Sequence, residues 1–285
     1  MPRNHLIIDV PYLAYVTFFS HQKDDLTARQ VAATLISEIR RIVDRRDCRH
    51  VLFCFDGKWP LHRRVMFEGY KAGRQKSREN TGPEELAKLD EFRVFMWSMP
   101  RLIGQVGMPA ACQPGYEADD MIAAAVKQLK PCIDDQVVIV TSDEDMFQCL
   151  VDGVVIYTPT SKEKHRNRQW LKDTYGVDND QWCMVKAIAG CSSDGIDGIA
   201  GVGNKTACKY VSGQLSATSK TFLSIEERLD ECRGRLPLVR IPWPHTVLPD
   251  GWMSDSLSWS SRKADELVSR ILETELETEG PSPPF

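Results

Sequence analysis

The segment Leu6-Ile7-Ile8-Asp9 is a short apolar run that ends in an acidic residue. The same pattern returns at residues 51–56 and at residues 137–143. Continuous apolar runs of this length are typical of strands that are buried on both faces, as in parallel sheets. Between the first two runs, residues 27–43 carry apolar side chains at helical spacing, which indicates a βαβ unit. We therefore predict an α/β fold with a mainly parallel central sheet flanked by helices.

The rest of the chain adds helices to this pattern. Residues 84–106 predict one long helix with a kink at Pro100, whose nitrogen has no hydrogen to donate. A strand at residues 109–112 and a helix at residues 117–129 follow. From residue 181 onward short helical stretches alternate with glycine-rich turns, which indicates a second region.

Length and composition bound the class of protein. The 285 residues, 42% of them apolar, suffice for a large hydrophobic core. No apolar run approaches the roughly 20 residues of a membrane-spanning helix, and residues 1–9 lack the features of a signal peptide. The nine cysteines are irregularly spaced and mostly lie in apolar stretches, which is typical of reduced core residues. We expect a cytoplasmic protein, in the host cytoplasm if it is viral, with no membrane contact.

The charge is unevenly distributed along the chain. A net charge of −4 argues weakly against a protein that coats nucleic acid. Residues 63–79, however, contain six basic residues against two acidic ones. A local basic patch of this kind indicates contact with nucleic acid, and its first two members, Arg63 and Arg64, are expected to contact DNA.

Acidic residues are concentrated where predicted strands end and one helix begins. Three acids lie within residues 117–120, in the first turn of a predicted helix, and three occupy residues 143–145. Each group alone is also typical of a helix start or an ordinary turn. In open α/β sheets, however, ligands bind beyond the carboxyl ends of the strands. We expect seven carboxylates to meet at that edge: Asp9, Asp56, Glu117, Asp119, Asp120, Asp143 and Asp145.

Such a cluster needs cations, because two like charges about 4 Å apart repel by roughly 4 kcal/mol at an effective dielectric constant near 20. Oxygen ligands without histidine or cysteine select Mg²⁺ or Mn²⁺ over Zn²⁺. Two such ions about 4 Å apart can activate a water molecule and stabilise the leaving oxygen in phosphodiester hydrolysis. The sequence thus predicts a metal-dependent phosphodiesterase.

The order of the motifs resembles that of the 5′ nucleases, which include flap endonucleases, bacteriophage 5′ to 3′ exonucleases and the 5′ nuclease domain of bacterial DNA polymerase I. The length resembles that of the small stand-alone bacteriophage members. The matching motifs cover about residues 5–215 and are Asp9, Phe55-Asp56-Gly57, Tyr70-Lys71-Ala72-Gly73-Arg74, Glu117-Ala118-Asp119-Asp120, Thr141-Ser142-Asp143-Glu144-Asp145 and residues 198–207.

The resemblance implies a PIN-like nuclease core with a helical arch and a C-terminal helix-turn-helix region that binds DNA. One metal position would be surrounded by Asp9, Asp56, Glu117, Asp119 and Asp120, and the second would be formed by Asp143, Asp145 and Asp194. Lys71 and Arg74 on the arch would contact the scissile phosphate. The helix-turn-helix loop would bind the duplex, with K⁺ beside it, through Gly201, Gly203, Lys205 and Thr206.

The resemblance also suggests how the chain is divided. Residues 1–182 would form the nuclease core, with the arch at about residues 60–100. Residues 183–279 would form the DNA-binding region and a segment that packs back on the core. Residues 280–285 are expected to be a disordered tail because they are rich in proline.

Cys191 is a departure from the family pattern. Many bacterial members carry an acidic residue at this position, whereas this chain reads Gly190-Cys191-Ser192-Ser193-Asp194. The first metal position is therefore expected to be firm, and the second ion is expected to bind weakly or only together with substrate.

We expect a structure-specific 5′ nuclease that acts as a monomer on DNA with a 5′ end, a nick or a flap, and also on RNA·DNA hybrids. Two alternatives remain. One is a member of the family that has lost activity and binds branched DNA, and the other is a ribonuclease of the PIN-domain group.

Overall fold

The computed structural model describes residues 4–48, 50–58, 61–73, 82–129, 136–159 and 164–275. Its centre is a six-stranded sheet in the order β3-β2-β1-β4-β5-β6. The strands are β1 (Asn4–Asp9), β2 (His50–Cys54), β3 (Ala110–Ala111), β4 (Gln136–Val140), β5 (Val154–Thr158) and β6 (Lys164–Asn167). The first five are parallel, and β6 is antiparallel to β5.

The strand order changes direction between β1 and β4. From β1 the chain proceeds outward to β2 and β3, and then returns to place β4 on the other side of β1. Ile8 pairs with Val140 in this register, so β1 and β4 end next to each other. A crevice forms at such a switch point, outside the carboxyl ends of the strands. The fold therefore brings residues after β1 and β4 to one place.

Helices cover both faces of the sheet. In chain order they are α1 (Val10–Ser20), α2 (Ala28–Arg46), α3 (His62–Met66), α4 (Pro83–Met96), α5 (Met99–Gln105), α6 (Ala118–Leu129), α7 (Arg168–Tyr175), α8 (Trp182–Ala189), α9 (Asn204–Val211), α10 (Lys220–Glu227), α11 (Leu229–Val239) and α12 (Ser261–Glu273). No described helix is both long enough and apolar enough to cross a bilayer.

Local signals fix where the first two helices begin. The backbone N–H of Tyr12 donates a hydrogen bond to the carboxylate of Asp9, so the last residue of β1 also caps α1. Thr27 and Gln30 form a reciprocal capping box at the start of α2. The chain thus passes directly from β1 into α1, which holds the Asp9 side chain at the edge of the sheet.

The alternation of side chains along β1 divides the core into two layers. Leu6 and Ile8 pack with α1, α2, α4, α5 and α12 on one face. Ile7 packs on the other face with α6 and with α8, α9 and α10. Helices α8, α9 and α10 therefore share one hydrophobic layer with this face of the sheet, whereas α12 packs on the opposite face.

The expected α/β fold with its mainly parallel sheet is confirmed, and the four predicted strands and the helices at residues 27–43 and 117–129 are all present. The helical stretch predicted at residues 84–106 is present as two helices, but the interruption lies between Met96 and Met99 and not at Pro100. Pro100 lies in the first turn of α5, where a missing N–H breaks no hydrogen bond. Strands β5 and β6 were not predicted.

Gly57 provides a test of the close packing beside β2. Its N–H donates to the carbonyl of Tyr116, and a Cβ atom at this position would lie 1.9 Å from the carbonyl oxygen of Gln113. We expect Gly57→Ala to lower the free energy of unfolding by about 1–3 kcal/mol, because backbone must move. Urea denaturation measures this change.

Gly104→Ala is the matched control. Gly104 lies in α5, and an added Cβ atom there meets nothing within 4 Å. This variant should be stabilised by about 0.4–1 kcal/mol through the unfolded state. Equal stability of the two variants would contradict the close approach at Gly57.

Candidate active site

Asp9, Asp56, Asp119 and Asp143 surround the switch point between β1 and β4. The Thr141 hydroxyl donates to Asp9 Oδ2 over 2.7 Å and accepts from the N–H of Asp143 over 3.1 Å. Asp56 Oδ1 accepts a hydrogen bond of 2.9 Å from the N–H at the first residue of α6, the helix that carries Asp119. Four elements that are distant in sequence thus bring their acids to one edge.

Within the described residues, no ion pair neutralises the charges of these acids. Burial raises the pKa of Asp9 to about 7, although Thr141 and Tyr12 donate hydrogen bonds to it, and the charges of Asp56 and Asp143 contribute to the rise. Burial also raises the pKa of Asp119 well above its ordinary range, and neighbouring carboxylates add to that rise. Among the described residues, no lysine or arginine forms an ion pair with this set. Oxygen ligands with unbalanced negative charge fit a hard divalent cation.

Glu117, in contrast, has its charge balanced by cations. It accepts hydrogen bonds from Lys71 Nζ, from the Tyr70 hydroxyl at 2.8 Å and from Arg63 at 2.8 Å. Burial alone would raise the pKa of Glu117, but the charges of Lys71 and Arg63 and the hydrogen bonds lower it to about 2. Glu117 is therefore ionised and held in place at neutral pH.

The prediction that Asp120 binds a metal ion does not agree with the structure. Its carboxylate accepts hydrogen bonds from both terminal nitrogens of Arg63, each at 2.8 Å, and from the N–H groups of Glu117 and Trp243. Successive side chains on a helix point about 100° apart, so Asp119 faces the edge while Asp120 faces inward. Asp120 is fully buried, and its oxygens are occupied by protein donors.

The expectation that Arg63 contacts DNA is also wrong. Its side chain is buried, and besides the two acids it donates to the carbonyl oxygens of Leu238 at 2.9 Å and Arg240 at 3.0 Å. The reason is electrostatic, because two buried carboxylates require a buried cation. The neighbouring Arg64 is half-buried and donates to the Tyr70 carbonyl, and its contact with DNA stays a prediction.

A second group of potential ligands lies beside the first and consists of Asp145, Cys191 and Asp194. One ligand atom from each lies within 4.8 Å of the other two. Lys186 Nζ lies 3.0 Å from Asp145 Oδ1. Burial raises the pKa of Asp145 to about 7, and the charge of Asp143 adds to this effect while that of Lys186 opposes it. Sequence reasoning missed Lys186, although a single lysine in the apolar helix α8 was an available signal.

Lys71 connects the two groups. Its N–H donates to the carbonyl of Asp194 over 2.7 Å, and its Nζ lies 3.8 Å from Asp194 Oδ1 as well as against Glu117. Its φ angle of 57° is in the left-handed region, which residues with a side chain rarely adopt. The contacts around Lys71 therefore hold its backbone in this conformation. Arg74, the other predicted phosphate contact, lies outside the described residues.

A cavity of about 380 Å³ adjoins Asp56 and is bordered by α1, α4 and α5. Its walls combine aromatic and basic side chains, among them Tyr15, Trp97, Lys58, Lys71 and Arg101. Asp56 is the single acidic residue in this lining, as far as the described residues go. The cavity beside Asp56 therefore offers positive charge and aromatic rings, which suit a polyanion that carries flat rings.

The glycine loop at residues 198–207 presents an open backbone. Gly201 has a φ angle of 78°, and an added Cβ at Gly201 or Gly203 would meet nothing within 4 Å. Helix α9 begins directly after Gly203, where Lys205 is exposed and Thr206 is half-buried. A phosphate could approach these backbone groups closely.

Comparison with known proteins is consistent with this geometry. The family model described as 5′-3′ exonuclease, N-terminal resolvase-like domain, matches residues 4–176. DNA polymerase I of Thermus thermophilus is 32% identical over 211 residues, which are 72% of this chain and 23% of that protein. The chain therefore spans about a quarter of the length of such polymerase relatives.

Two further similar proteins are closer to this chain in length. A 5′-3′ exonuclease of Streptomyces coelicolor is 27% identical over 241 residues, which are 81% of this chain and 77% of that protein. The structure of T5 5′-exonuclease with bound divalent metal ions (zinc) has a TM-score of 0.70 at 21% identity and covers 95% of this chain and 99% of that one. The last similarity shows a shared fold.

The buried Arg63 network should dominate the stability of the site. We expect Arg63→Met to lower the free energy of unfolding by about 3–5 kcal/mol, because the buried Asp120 would lose its cation and Glu117 would keep only Lys71 as one. Arg262→Met is the control, since Arg262 is 82% exposed, and it should change stability by less than about 0.5 kcal/mol. Similar values for the two variants in denaturant titrations would rule out a stabilising role for the network.

Removing one repelling carboxylate should stabilise the protein when metal ions are absent. A carboxyl pKa raised by folding means that the charged form destabilises the folded state at neutral pH. We therefore expect Asp119→Asn to raise the free energy of unfolding by about 0.5–2 kcal/mol in EDTA at neutral pH. Mg²⁺ should raise the melting temperature of the wild type and have little effect on the variant.

The control for this experiment is Asp173→Asn, which changes an exposed acid on α7. It should leave both the stability in EDTA and the response to Mg²⁺ unchanged. A destabilised Asp119→Asn protein, or one with the full response to Mg²⁺, would contradict the unbalanced charge at this edge.

Proposed function

Since the chain belongs to the 5′-3′ exonuclease family, we propose that it is a structure-specific 5′ nuclease that hydrolyses phosphodiester bonds of DNA with divalent metal ions. Its substrates are duplexes with a 5′ end, a nick or a 5′ flap, and the RNA strand of RNA·DNA hybrids. It acts as a monomer in the cytoplasm, where it removes primers or degrades strands during replication or repair.

The observation that carries this proposal is the set of four carboxylates with unbalanced charge at the switch point of the sheet. Asp9, Asp56, Asp119 and Asp143 bind Mg²⁺ or Mn²⁺, with Glu117 as an ionised neighbour. A divalent ion in such a position supplies an activated water molecule and stabilises the leaving oxygen. Asp145 and Asp194 contribute to a second position.

We propose that Lys71 contacts the scissile phosphate, together with Arg74. The support is that Lys71 Nζ lies between Glu117 and Asp194, at the junction of the two ligand groups. A phosphate oxygen near these acids would carry negative charge in the transition state, which a neighbouring ammonium group stabilises. Arg64 and the basic lining of the cavity would orient the same strand.

Residues 183–279 are proposed to hold the duplex, with residues 1–182 as the nuclease core. The exposed Gly201 and Gly203 allow a phosphate to approach the backbone, and Lys205 adds charge. Contacts of this kind bind DNA without reading its sequence. A K⁺ ion beside this loop is part of the proposal.

One alternative is favoured by a specific residue. Cys191 stands where a carboxylate is expected, which favours a member that binds branched DNA without cleaving it. DNA binding in Ca²⁺, with no cleavage in Mg²⁺ or in Mn²⁺, would identify that protein.

The proposal predicts which acids activity depends on. Asp119→Ala and Asp143→Ala should each lower the cleavage rate by more than about a hundredfold, since even partners of metal ligands are worth 10- to 100-fold. Asp173→Ala should retain full activity. Release of product in Mg²⁺ from a 5′-labelled flap duplex, a nicked duplex, an RNA·DNA hybrid and a closed circle measures these rates and the substrate range.

Retained cleavage in both Asp119→Ala and Asp143→Ala would refute the assignment. Cleavage of the closed circle would establish that no free 5′ end is required. Circular dichroism of each variant separates a lost ligand from a lost fold.

A further inference from the structure

The second group of ligands differs in kind from the first because it includes sulfur. Cys191 Sγ lies 3.4 Å from Asp194 Oδ2 and 4.0 Å from Asp145 Oδ2. Cys191 and Asp145 are both more than nine-tenths buried. A buried thiol between two carboxylates is therefore part of the position where the proposed function requires a metal ion.

The spacing of these atoms agrees with one small ion bound by all three residues. An ion with metal–sulfur bonds of about 2.3 Å and metal–oxygen bonds of about 2.1 Å in tetrahedral geometry separates sulfur from oxygen by about 3.6 Å. The two observed sulfur–oxygen distances of 3.4 and 4.0 Å lie on either side of this value. The sulfur atom is therefore placed to share one ion with either carboxylate, and ligand atoms of all three residues lie within 4.8 Å of one another.

The two oxygens of Asp145 have different neighbours. Oδ1 is inaccessible to solvent and pairs with Lys186 Nζ over 3.0 Å, whereas Oδ2 lies 4.0 Å from Cys191 Sγ. Buried carboxylate oxygens normally have hydrogen-bond partners or bind metal ions. The contact with the thiol is long, so Oδ2 is the oxygen that an ion beside Cys191 would bind.

The chemistry of the ligands favours a metal that can bind a thiolate. Lys186 Nζ lies 3.0 Å from Asp145 Oδ1, and Lys71 Nζ lies 3.8 Å from Asp194 Oδ1. Each carboxylate thus has a lysine nearby, and the sulfur of Cys191 is the ligand that distinguishes one type of ion from another. Mg²⁺ prefers oxygen and does not select thiolate, whereas Zn²⁺ and other transition-metal ions do.

We propose that the position formed by Asp145, Cys191 and Asp194 selects a thiophilic divalent transition-metal ion, with Zn²⁺ as the strongest-binding common candidate, over Mg²⁺. This inference rests on the proposed function, because it takes this position to be the second metal position of the nuclease. The first position, which has only oxygen ligands, takes Mg²⁺ or Mn²⁺, so the two positions hold different ions.

Cadmium binding tests the proposal without DNA. Cd²⁺ is titrated into the full-length protein, and the ultraviolet charge-transfer band between thiolate and Cd²⁺ is recorded. Cys112→Ser serves as the parent protein, because Cys112 is the exposed cysteine of the described residues and would otherwise bind Cd²⁺ itself. Cys191→Ser and Cys191→Asp are then introduced into this parent, and melting temperatures verify the fold.

The expected result is a band that saturates at one equivalent in the parent and is lost in both Cys191 variants. A large excess of Mg²⁺ should not diminish the band, and Zn²⁺ should abolish it. In calorimetry, Cys191→Asp should bind a second Mg²⁺ at least about tenfold more tightly than the parent. Failure of Cys191→Ser to fold leaves Cys191→Asp as the decisive variant.

Persistence of the band in both Cys191 variants, or its displacement by Mg²⁺, would overturn the proposal. The experiment separates failure of this metal site from failure of the proposed nuclease function. A Cys191-dependent band in a protein that cleaves no DNA with any metal ion would support the site and refute the nuclease. Cleavage in Mg²⁺ by a protein without the band would do the reverse.

Discussion

Repulsion among carboxylates is the constraint on which this structure depends. The strand order places the ends of β1 and β4 next to each other, and Asp9 and Asp143 follow those strands. Such a group of buried acids destabilises a fold unless cations balance it. The protein supplies some of these cations itself, through Arg63, Lys71 and Lys186. In the part of the chain that the structure describes, Asp9, Asp56, Asp119 and Asp143 form no ion pair with a lysine or an arginine, and this difference distinguishes them from Glu117 and Asp120, which Arg63 neutralises.

Arg63 balances buried acids and also links segments that are far apart in the sequence. It connects α3 to the first turn of α6 through Glu117 and Asp120, and it also donates to two carbonyl groups at the end of α11. Trp243 completes the connection, because its N–H donates to Asp120 and its ring lies 5.2 Å from the Arg63 guanidinium carbon. The segment after α11 is thus held to the acidic edge by hydrogen bonds in addition to apolar packing. Changes in the C-terminal region can therefore alter the geometry of the site.

The sequence predicts elements whose signal is local. Continuous apolar runs identified β1, β2 and β4, because these strands are buried on both faces. Apolar residues at helical spacing identified α2 and α6, because one face of each helix packs on the sheet. β6 carries Lys164, His165 and Arg166 and is an exposed edge, so no apolar pattern marks it. The sequence indicates where the acids cluster, but not which of them have their charge neutralised. Asp119 and Asp120 are adjacent and chemically identical, and the position of Arg63 decides which one is neutralised. That position depends on tertiary packing over more than fifty residues of sequence.

The two groups of ligands have different demands for added charge. Asp145 already lies beside Lys186, and Asp194 lies near Lys71. Asp119 and Asp143 form no ion pair with any lysine or arginine in the described ranges. Since the free energy gained from a bound cation increases with the negative charge that it neutralises, the first position should bind a hard cation more strongly than the second. The second position gains its affinity from the sulfur of Cys191, which adds selectivity for the type of ion where less charge is available. The same edge of the sheet can therefore hold one ion mainly through negative charge and a second ion through a bond to sulfur.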